Sequence, residues 1–342
     1  MRLMVTGATS LIGSGVVAAA VERGDDVVCF QRGDPGAVAA AVAAVAADAT
    51  VVRGDVRDLV AVTRAMRGCD GVIHLAAKVG VVGTWEDYRS VNVDGTANVV
   101  GAALATGVPR VVHVSSPSVA HGGEAIVGGG ADTPVLGRRR AWYPESKALA
   151  EIAALAPTDD PATSGDIGVV AVRPHLVWGP GDTQLVGRIV ERARSGRLAL
   201  VEGGRALVDT TYIDNAVDAL LASVDAVAPG AACSGNAYVI ANGEPRTIRE
   251  LVAGICRAAG VPFAPREVSL RAGLTAGAVV ERVWPLLRRS DEPPLTRFLA
   301  EQLGTAHWFD PQPARDDLGW TPRVSIDEGL RRLSTWFDDH QM

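Results

Sequence analysis

The stretch from Arg2 to Arg23 constrains the fold more than any other part of this chain. A short apolar strand over 2–6 runs into the small-residue turn Thr6-Gly7-Ala8-Thr9-Ser10-Leu11-Ile12-Gly13, and an Ala/Val helix over 14–23 closes at Gly24. In that order they form the start of a βαβ unit whose turn holds phosphate. Gly7 permits the tight turn, Gly13 lets the helix approach the strand, and the first N–H groups of the helix face the anion. The expected pyrophosphate contacts are therefore Gly7, Ser10, Leu11, Ile12 and Gly13. Position 10 departs from the three-glycine pattern: the Ser10 Cβ crowds a phosphate, while its hydroxyl offers one a donor.

The alternation continues. Strands are expected at 26–30, 51–53, 71–76, 110–115 and 169–173. Helices are expected at 37–47, 59–66, 86–106 and 143–155, the last with Pro144 in its first turn and Pro157 at its end. Such a pattern predicts α/β architecture with a doubly wound parallel (Rossmann) sheet. After Pro174 the pattern loosens into helices near 184–196, 247–259 and 325–338 and strands near 198–201 and 237–241. The expectation is a smaller C-terminal mixed α/β substrate domain over the carboxyl edge of the sheet, where open α/β sheets bind ligands. Residues 1–173 form the expected dinucleotide-binding domain, with a return segment near 206–241; 174–205 and 242–342 form the substrate domain.

The second strand ends in Phe30-Gln31-Arg32, with no carboxylate to take a ribose diol and an arginine available to a 2′-phosphate. This favours NADP(H) over NAD. Asp55 and Val56 follow the third strand, where a carboxylate can accept from an adenine amino group; an ordinary turn aspartate is the alternative. Ala76, Lys78 and Pro174, at or just past strand ends, complete the expected cofactor contacts.

Of 33 Lys+Arg residues only Lys78 and Lys147 are lysines, so each is a candidate for a place that needs a compact ammonium. Lys147 lies four residues after Tyr143, one of four tyrosines, and on a helix the two share a face. Upstream, His113-Val114-Ser115-Ser116-Pro117-Ser118-Val119 ends a strand on a cluster of hydroxyls. A free tyrosine has a pKa of about 10, and a neighbouring ammonium is expected to lower it toward the range of proton transfer. Lys78, beyond the fourth strand, is expected to contact cofactor phosphate or substrate carboxylate.

The net charge of −6, with no basic block beyond Arg138, Arg139 and Arg140, argues against nucleic acid as a partner. Four scattered cysteines and six histidines without ligand spacing predict buried thiols in a reducing compartment and no metal site. The N-terminus leaves no room for a signal peptide and no apolar run is long enough to span a bilayer, so a cytoplasmic protein is expected.

Together the glycine turn, the serine cluster and Tyr143-Pro144-Glu145-Ser146-Lys147 resemble the extended short-chain dehydrogenase/reductase superfamily over nearly the whole chain. The resemblance implies Tyr143 as proton donor and acceptor and Lys147 as its activator and ribose ligand. It implies Ser116 (with Ser115 as fallback) on the substrate oxygen, and Asn92 as the helix-four asparagine. The segments from Arg173 to Asp182 and from Val208 to Ala216 resemble the 3β-hydroxysteroid dehydrogenase-like branch. The run from Glu292 to Leu303 is most similar to bacterial 2-alkyl-3-oxoalkanoate reductases of long-chain olefin biosynthesis. That implies NADPH-dependent reduction of a lipid-like β-keto acid, a homodimer, and partners such as a thiolase-like condensing enzyme and an AMP-forming ligase. A β-lactone pathway reductase, a 3β-hydroxysteroid or sterol dehydrogenase and a non-catalytic NADP-sensing regulator stay open as alternatives, and a nucleotide-sugar epimerase conflicts with Gln31-Arg32. An apolar helix over 270–287, with Trp284, Leu286 and Leu287 beside Arg282, Arg288 and Arg289, is expected to wall a substrate groove, dock a partner, rest on a membrane surface, or simply pack in the core.

Overall fold

The computed structural model describes every residue except 81, 138–140, 285–292, 294 and 341–342. The basic run at 138–140 and the end of the expected 270–287 helix thus lie outside the described residues. Seven strands form one all-parallel sheet: β1 (Arg2–Thr6), β2 (Asp26–Gln31), β3 (Thr50–Arg53), β4 (Gly71–His74), β5 (Arg110–Val114), β6 (Gly168–Pro174) and β7 (Ala237–Ile240). Their order is β3-β2-β1-β4-β5-β6-β7, so the sheet reverses direction between β1 and β4. That reversal opens a crevice at the carboxyl ends of the strands.

Side chains alternate across the sheet. Leu3 and Val5 face the core shared with α1 (Leu11–Glu22) and with Val217, Leu220 and Val224, while Met4 faces the core containing Val62, Met66, Val99 and Ala103. Both faces are covered, which is why the central strands read as continuous apolar runs.

Two helices differ instructively from expectation. The segment expected at 86–106 is interrupted: the helical turn Trp85–Tyr88 passes into a π-helical stretch, Arg89–Asp94, before α-helix resumes over Gly95–Thr106. The wider turn carries Asn92, which is 1% exposed. The helix expected to stop before Pro157 runs from Trp142 to Asp159. Proline in a last turn forfeits one backbone hydrogen bond, and the hydroxyls of Thr158 and Thr163 take up the carbonyls of Leu155 and Pro157 there.

A second, mixed sheet joins Arg246–Thr247, Leu207–Val208, His307–Phe309 and Ile126–Gly129. The last of these comes from the first half of the chain, a crossing that periodicity did not reveal. The helix Ile213–Ala226 packs against α1, and its first turn presents Asn215 as a buried junction. The Asn215 amide donates to Asn242 Oδ1 (2.9 Å) and Val324 O (2.7 Å). Its Oδ1 accepts from the N–H groups of Arg323 (2.9 Å) and Val324 (3.0 Å). Asn215→Leu leaves these groups buried without partners, each costing about 1–3 kcal/mol. The urea midpoint of the variant should fall well below that of Asp218→Asn, a change at a half-exposed carboxylate nearby.

Candidate active site

The helix Trp142–Asp159 sets Tyr143, Lys147 and Glu151 four residues apart, on one face. The Tyr143 hydroxyl hydrogen-bonds Ser116, and Ser116 Oγ lies 2.9 Å from Ser118 Oγ. Ser116 also caps the short 3-10 turn Pro117–Ala120, so the backbone fixes it below the tyrosine. Ser115 Oγ is buried and has no hydrogen-bond partner among the described residues, which makes Ser116 the better placed of the two.

Lys147 is 3% exposed and its Nζ donates to the Val114 carbonyl at 2.6 Å. Burial brings its pKa down to about 8, opposed by the negative charge of Glu151. The expected lowering of the tyrosine by the lysine is not what this site shows. Burial raises Tyr143 above the ordinary value of 10, and only the Ser116 hydrogen bond opposes it. The physical reason is that a desolvated phenolate is costly, while the ammonium is directed at the end of β5.

Behind the lysine lies a group the sequence reading passed over. Arg173 Nε donates to Glu151 Oε2 at 2.8 Å, its Nη2 to Oε1 at 2.5 Å, and its Nη1 to the Asp132 carbonyl at 2.9 Å. Both side chains are 1% exposed. The signal was available: an arginine inside an otherwise apolar, buried parallel strand must be paired.

Asn92 is brought beside the site but serves as a clamp. Its Oδ1 accepts from the Lys78 N–H (2.6 Å), and its amide donates to the Lys78 carbonyl (3.0 Å) and to Ser146 Oγ (2.8 Å). Ser146 in turn donates to the Tyr143 carbonyl at 2.9 Å. From the other side, Thr96 Oγ1 donates to Asn92 O, and His74 bridges Thr96 and Thr6. Each hydroxyl has one proton, which fixes the chain. Because Thr96 gives its proton to Asn92, His74 Nε2 must donate to Thr96, and Nδ1 then accepts from Thr6. Thr6 Oγ1 is left to accept the Ala76 N–H at 3.1 Å. Burial holds His74 neutral, with a pKa of about 3. None of Thr6, His74, Thr96 and Ser146 was singled out from sequence, since partners so far apart in the chain leave no spacing to read.

A cavity of about 260 Å³ lies at the carboxyl ends of β1–β4, lined by Gly7, Ser10, Arg32, Asp55, Val56 and Ala76 among others. Gly7 has φ +72°, and a Cβ there would stand 2.9 Å from the Ala76 nitrogen; at Gly13 it would meet the Gly7 carbonyl at 2.2 Å. These two glycines, with the open N-terminus of α1 at Leu11 and Ile12, fit a dinucleotide's pyrophosphate. Ser10 lines the cavity, and its hydroxyl donates to Gly7 O and accepts from Gly13 N, capping the helix. Arg32 is exposed at the cavity rim, 3.8 Å from Asp55. Asp55 accepts from the backbone and guanidinium of Arg57, whose hydrogen bonds hold its pKa below the usual range. Asp55 is thus a turn aspartate that also faces the cavity. Lys78 is placed differently from expectation, with its ammonium 5.1 Å from the centre of the Tyr88 ring rather than on the cavity wall. Pro174 ends β6, paired with Ile240, away from this cavity's lining. Among the described residues no cluster of His, Cys, Asp and Glu is arranged to hold a metal, and no helix is long and apolar enough to cross a membrane.

A Rossmann sheet, a glycine turn and a Tyr-x-x-x-Lys helix beside a strand-end serine define an extended short-chain dehydrogenase/reductase. More narrowly, the chain belongs to the 3-beta hydroxysteroid dehydrogenase/isomerase family, whose profile matches residues 4–270. It is 47% identical to the 2-alkyl-3-oxoalkanoate reductase of Stenotrophomonas maltophilia (strain K279a), over 97% of this chain and 98% of that one. It is 38% identical to the protein of the same name from Shewanella oneidensis, over 96% and 84%, and 30% identical to a 3-beta-hydroxysteroid dehydrogenase of Mycolicibacterium neoaurum, over 99% and 92%. Among solved structures, the UDP-glucuronic acid 4-epimerase of Bacillus cereus in complex with NAD shares the fold, with a TM-score of 0.76 at 18% identity and full coverage of both chains.

Removing the charge of Glu151 isolates the Arg173 guanidinium in the interior, a change that typically costs about 3–5 kcal/mol. Glu151→Gln should therefore lower the unfolding midpoint sharply. A variant as stable as the parent would show that the pair is not needed to hold the helix on β6.

Proposed function

We propose that this chain reduces a 2-alkyl-3-oxoalkanoate to the corresponding 2-alkyl-3-hydroxyalkanoate with NADPH. The observation that carries the reading is the Tyr143–Ser116 hydroxyl pair, backed by buried Lys147, at the sheet edge that also bears the glycine-lined cavity. The substrate class is supported by the two 2-alkyl-3-oxoalkanoate reductases, which align over almost the whole chain. A nicotinamide dinucleotide fits the family and the NAD complexes of structures with this fold. NADPH in particular is supported by Arg32 and by the lack of a carboxylate at Gln31, whose side chain is instead spent on Thr9. The same proposal places the reaction in long-chain olefin or β-lactone biosynthesis and the protein in a homodimer; Ile152, exposed on the Trp142–Asp159 helix, suits such a contact.

The cofactor, when bound, supplies a hydride to the carbonyl carbon. Tyr143 and Ser116 donate hydrogen bonds to the carbonyl oxygen, stabilising the charge that develops there. Because its pKa is raised, Tyr143 carries its proton throughout the neutral range and can deliver it from Oη to that oxygen. Lys147, still charged near neutrality, compensates the phenolate that remains. Glu151 keeps the ammonium from losing its proton at lower pH.

Tyr143→Phe should lower kcat by about 10²–10⁴-fold while leaving NADPH binding intact. Lys147 loses its charge as pH rises through about 8, so reductive kcat/KM should be full below that value and fall above it. A profile flat into the alkaline range would contradict the role given to the ammonium. Arg32→Ala should raise the KM for NADPH roughly tenfold to a hundredfold and leave that for NADH nearly unchanged, as expected for a lost charge-assisted hydrogen bond.

A further inference from the structure

Beyond the hydroxyl pair lies a second cavity, of about 280 Å³, that the reaction chemistry does not use. Its wall is built from Leu185 and Ile189 of the helix Val186–Arg194 and the residue before it, Leu198 and Leu200, Ile248, Leu251 and Val252 of the helix Ile248–Ala258, and Leu299 and Leu303 of the helix Arg297–Gly304. The polar lining is Gln184, Gln302, His307, Arg188 and Arg192, with no carboxylate among the described lining residues. Burial holds His307 neutral, at a pKa of about 3, so it brings no charge to the wall. Leu176, at the lip just past β6, is held at φ 43°, a left-handed conformation that a leucine adopts only when its surroundings impose it.

Two packed aromatic rings stand between this cavity and the reacting groups. The His307 ring packs edge-on against His121 at 4.8 Å, and His121 lines a narrow slot with Ser118, Pro144 and Phe298. Ser118 is the hydrogen-bond partner of Ser116, and Pro144 follows Tyr143. The helix Arg297–Gly304 stands between the two spaces: Phe298 faces the slot, while Leu299 and Leu303 face the cavity. The helix expected from sequence to wall a groove, found over Leu270–Val283, contributes nothing to this lining. It packs through Gly273 and Gly277 beside Ala300 and Thr296 instead.

We propose that this cavity receives one unbranched alkyl chain of the substrate, led from Tyr143 past His121 and His307, and that its depth sets the preferred chain length. The assignment rests on the reductase reading above and names the subsite it lacks. An apolar wall with two arginines and no carboxylate among its described residues accepts a hydrocarbon chain and suits an anionic substrate. The volume falls just below the ~300–1,000 Å³ of pockets that hold drug-sized ligands, which suits a flexible chain better than a fused-ring body.

The test uses the full-length enzyme loaded with NADP⁺ and a graded series of 2-alkyl-3-hydroxyalkanoic acids, stable products read in the oxidative direction. Leu303→Trp fills the cavity and Leu251→Ala enlarges it. The expected result is at least a tenfold fall in the long-chain to short-chain ratio of kcat/KM for Leu303→Trp, and a shift of the optimum to longer chains for Leu251→Ala. An unchanged chain-length profile in both variants overturns the proposal, as does a loss equal at every length. Displacement of the fluorescent fatty acid cis-parinaric acid separates this from the reductase reading. If no hydroxy acid is turned over, that reading fails; parinarate binding weakened by Leu303→Trp would still support the cavity, and binding indifferent to both variants would overturn it.

Discussion

The hydrogen bond between Thr6 and His74 is the interaction on which the organisation of this site depends. His74 ends β4 beside β1 with no access to water, and an imidazole there must remain neutral and satisfy both nitrogens. Satisfying them recruits Thr6 on one side and Thr96 on the other, and through Thr96 the chain reaches Asn92, Ser146 and the backbone of Tyr143. The glycine turn and the helix that carries Tyr143 are thereby joined by one run of buried polar groups. Removing any member leaves its neighbours desolvated and unpaired, so the run behaves as a unit. The π-helical turn at Arg89–Asp94 belongs to it, since that widening carries the Asn92 side chain to both Lys78 and Ser146.

The second constraint is charge. Lys147 is an ammonium in a dry place, and burial lowers its pKa. Glu151, one helical turn further on, opposes this, yet Glu151 is itself buried and is held by Arg173 from β6. A cation, an anion and a second cation are therefore stacked inward from the reacting edge, and the innermost is always charged. The arrangement keeps the lysine protonated near neutrality and leaves the tyrosine with its proton. It also departs from the simple picture in which the lysine depresses the tyrosine: burial raises Tyr143 here, and only the Ser116 hydrogen bond opposes that rise.

Much of this was legible in the sequence wherever neighbours in space are neighbours in the chain. The glycine turn, the strand and helix alternation to Pro174, the Tyr143/Lys147 pair and the absence of a carboxylate at Gln31 are local patterns, and the structure places them as read. Where the structure differs from the reading, the difference lies in where a side chain turns. Ser10 was assigned to phosphate, because nothing in the sequence shows its hydroxyl turned back onto Gly7 and Gly13. Lys78 was aimed at the crevice, and Tyr88 draws it aside. Of the alternatives left open for the helix over 270–287, the described part, Leu270–Val283, shows packing: Gly273 and Gly277 lie against Ala300 and Thr296.

By itself the sequence determined the sheet, the edge of it that bears the glycine turn, and the Tyr143/Lys147 pair on one helix face. These follow from backbone sterics at glycine, from apolar periodicity, and from side-chain spacing on a helix. Only the tertiary structure decided how those groups are tuned and what lies beside them. The pKa of Lys147, the tautomer of His74, the pairing of Glu151 with Arg173 and the cavity behind His307 all arise from burial. Burial is a property of the packed chain and of no segment within it.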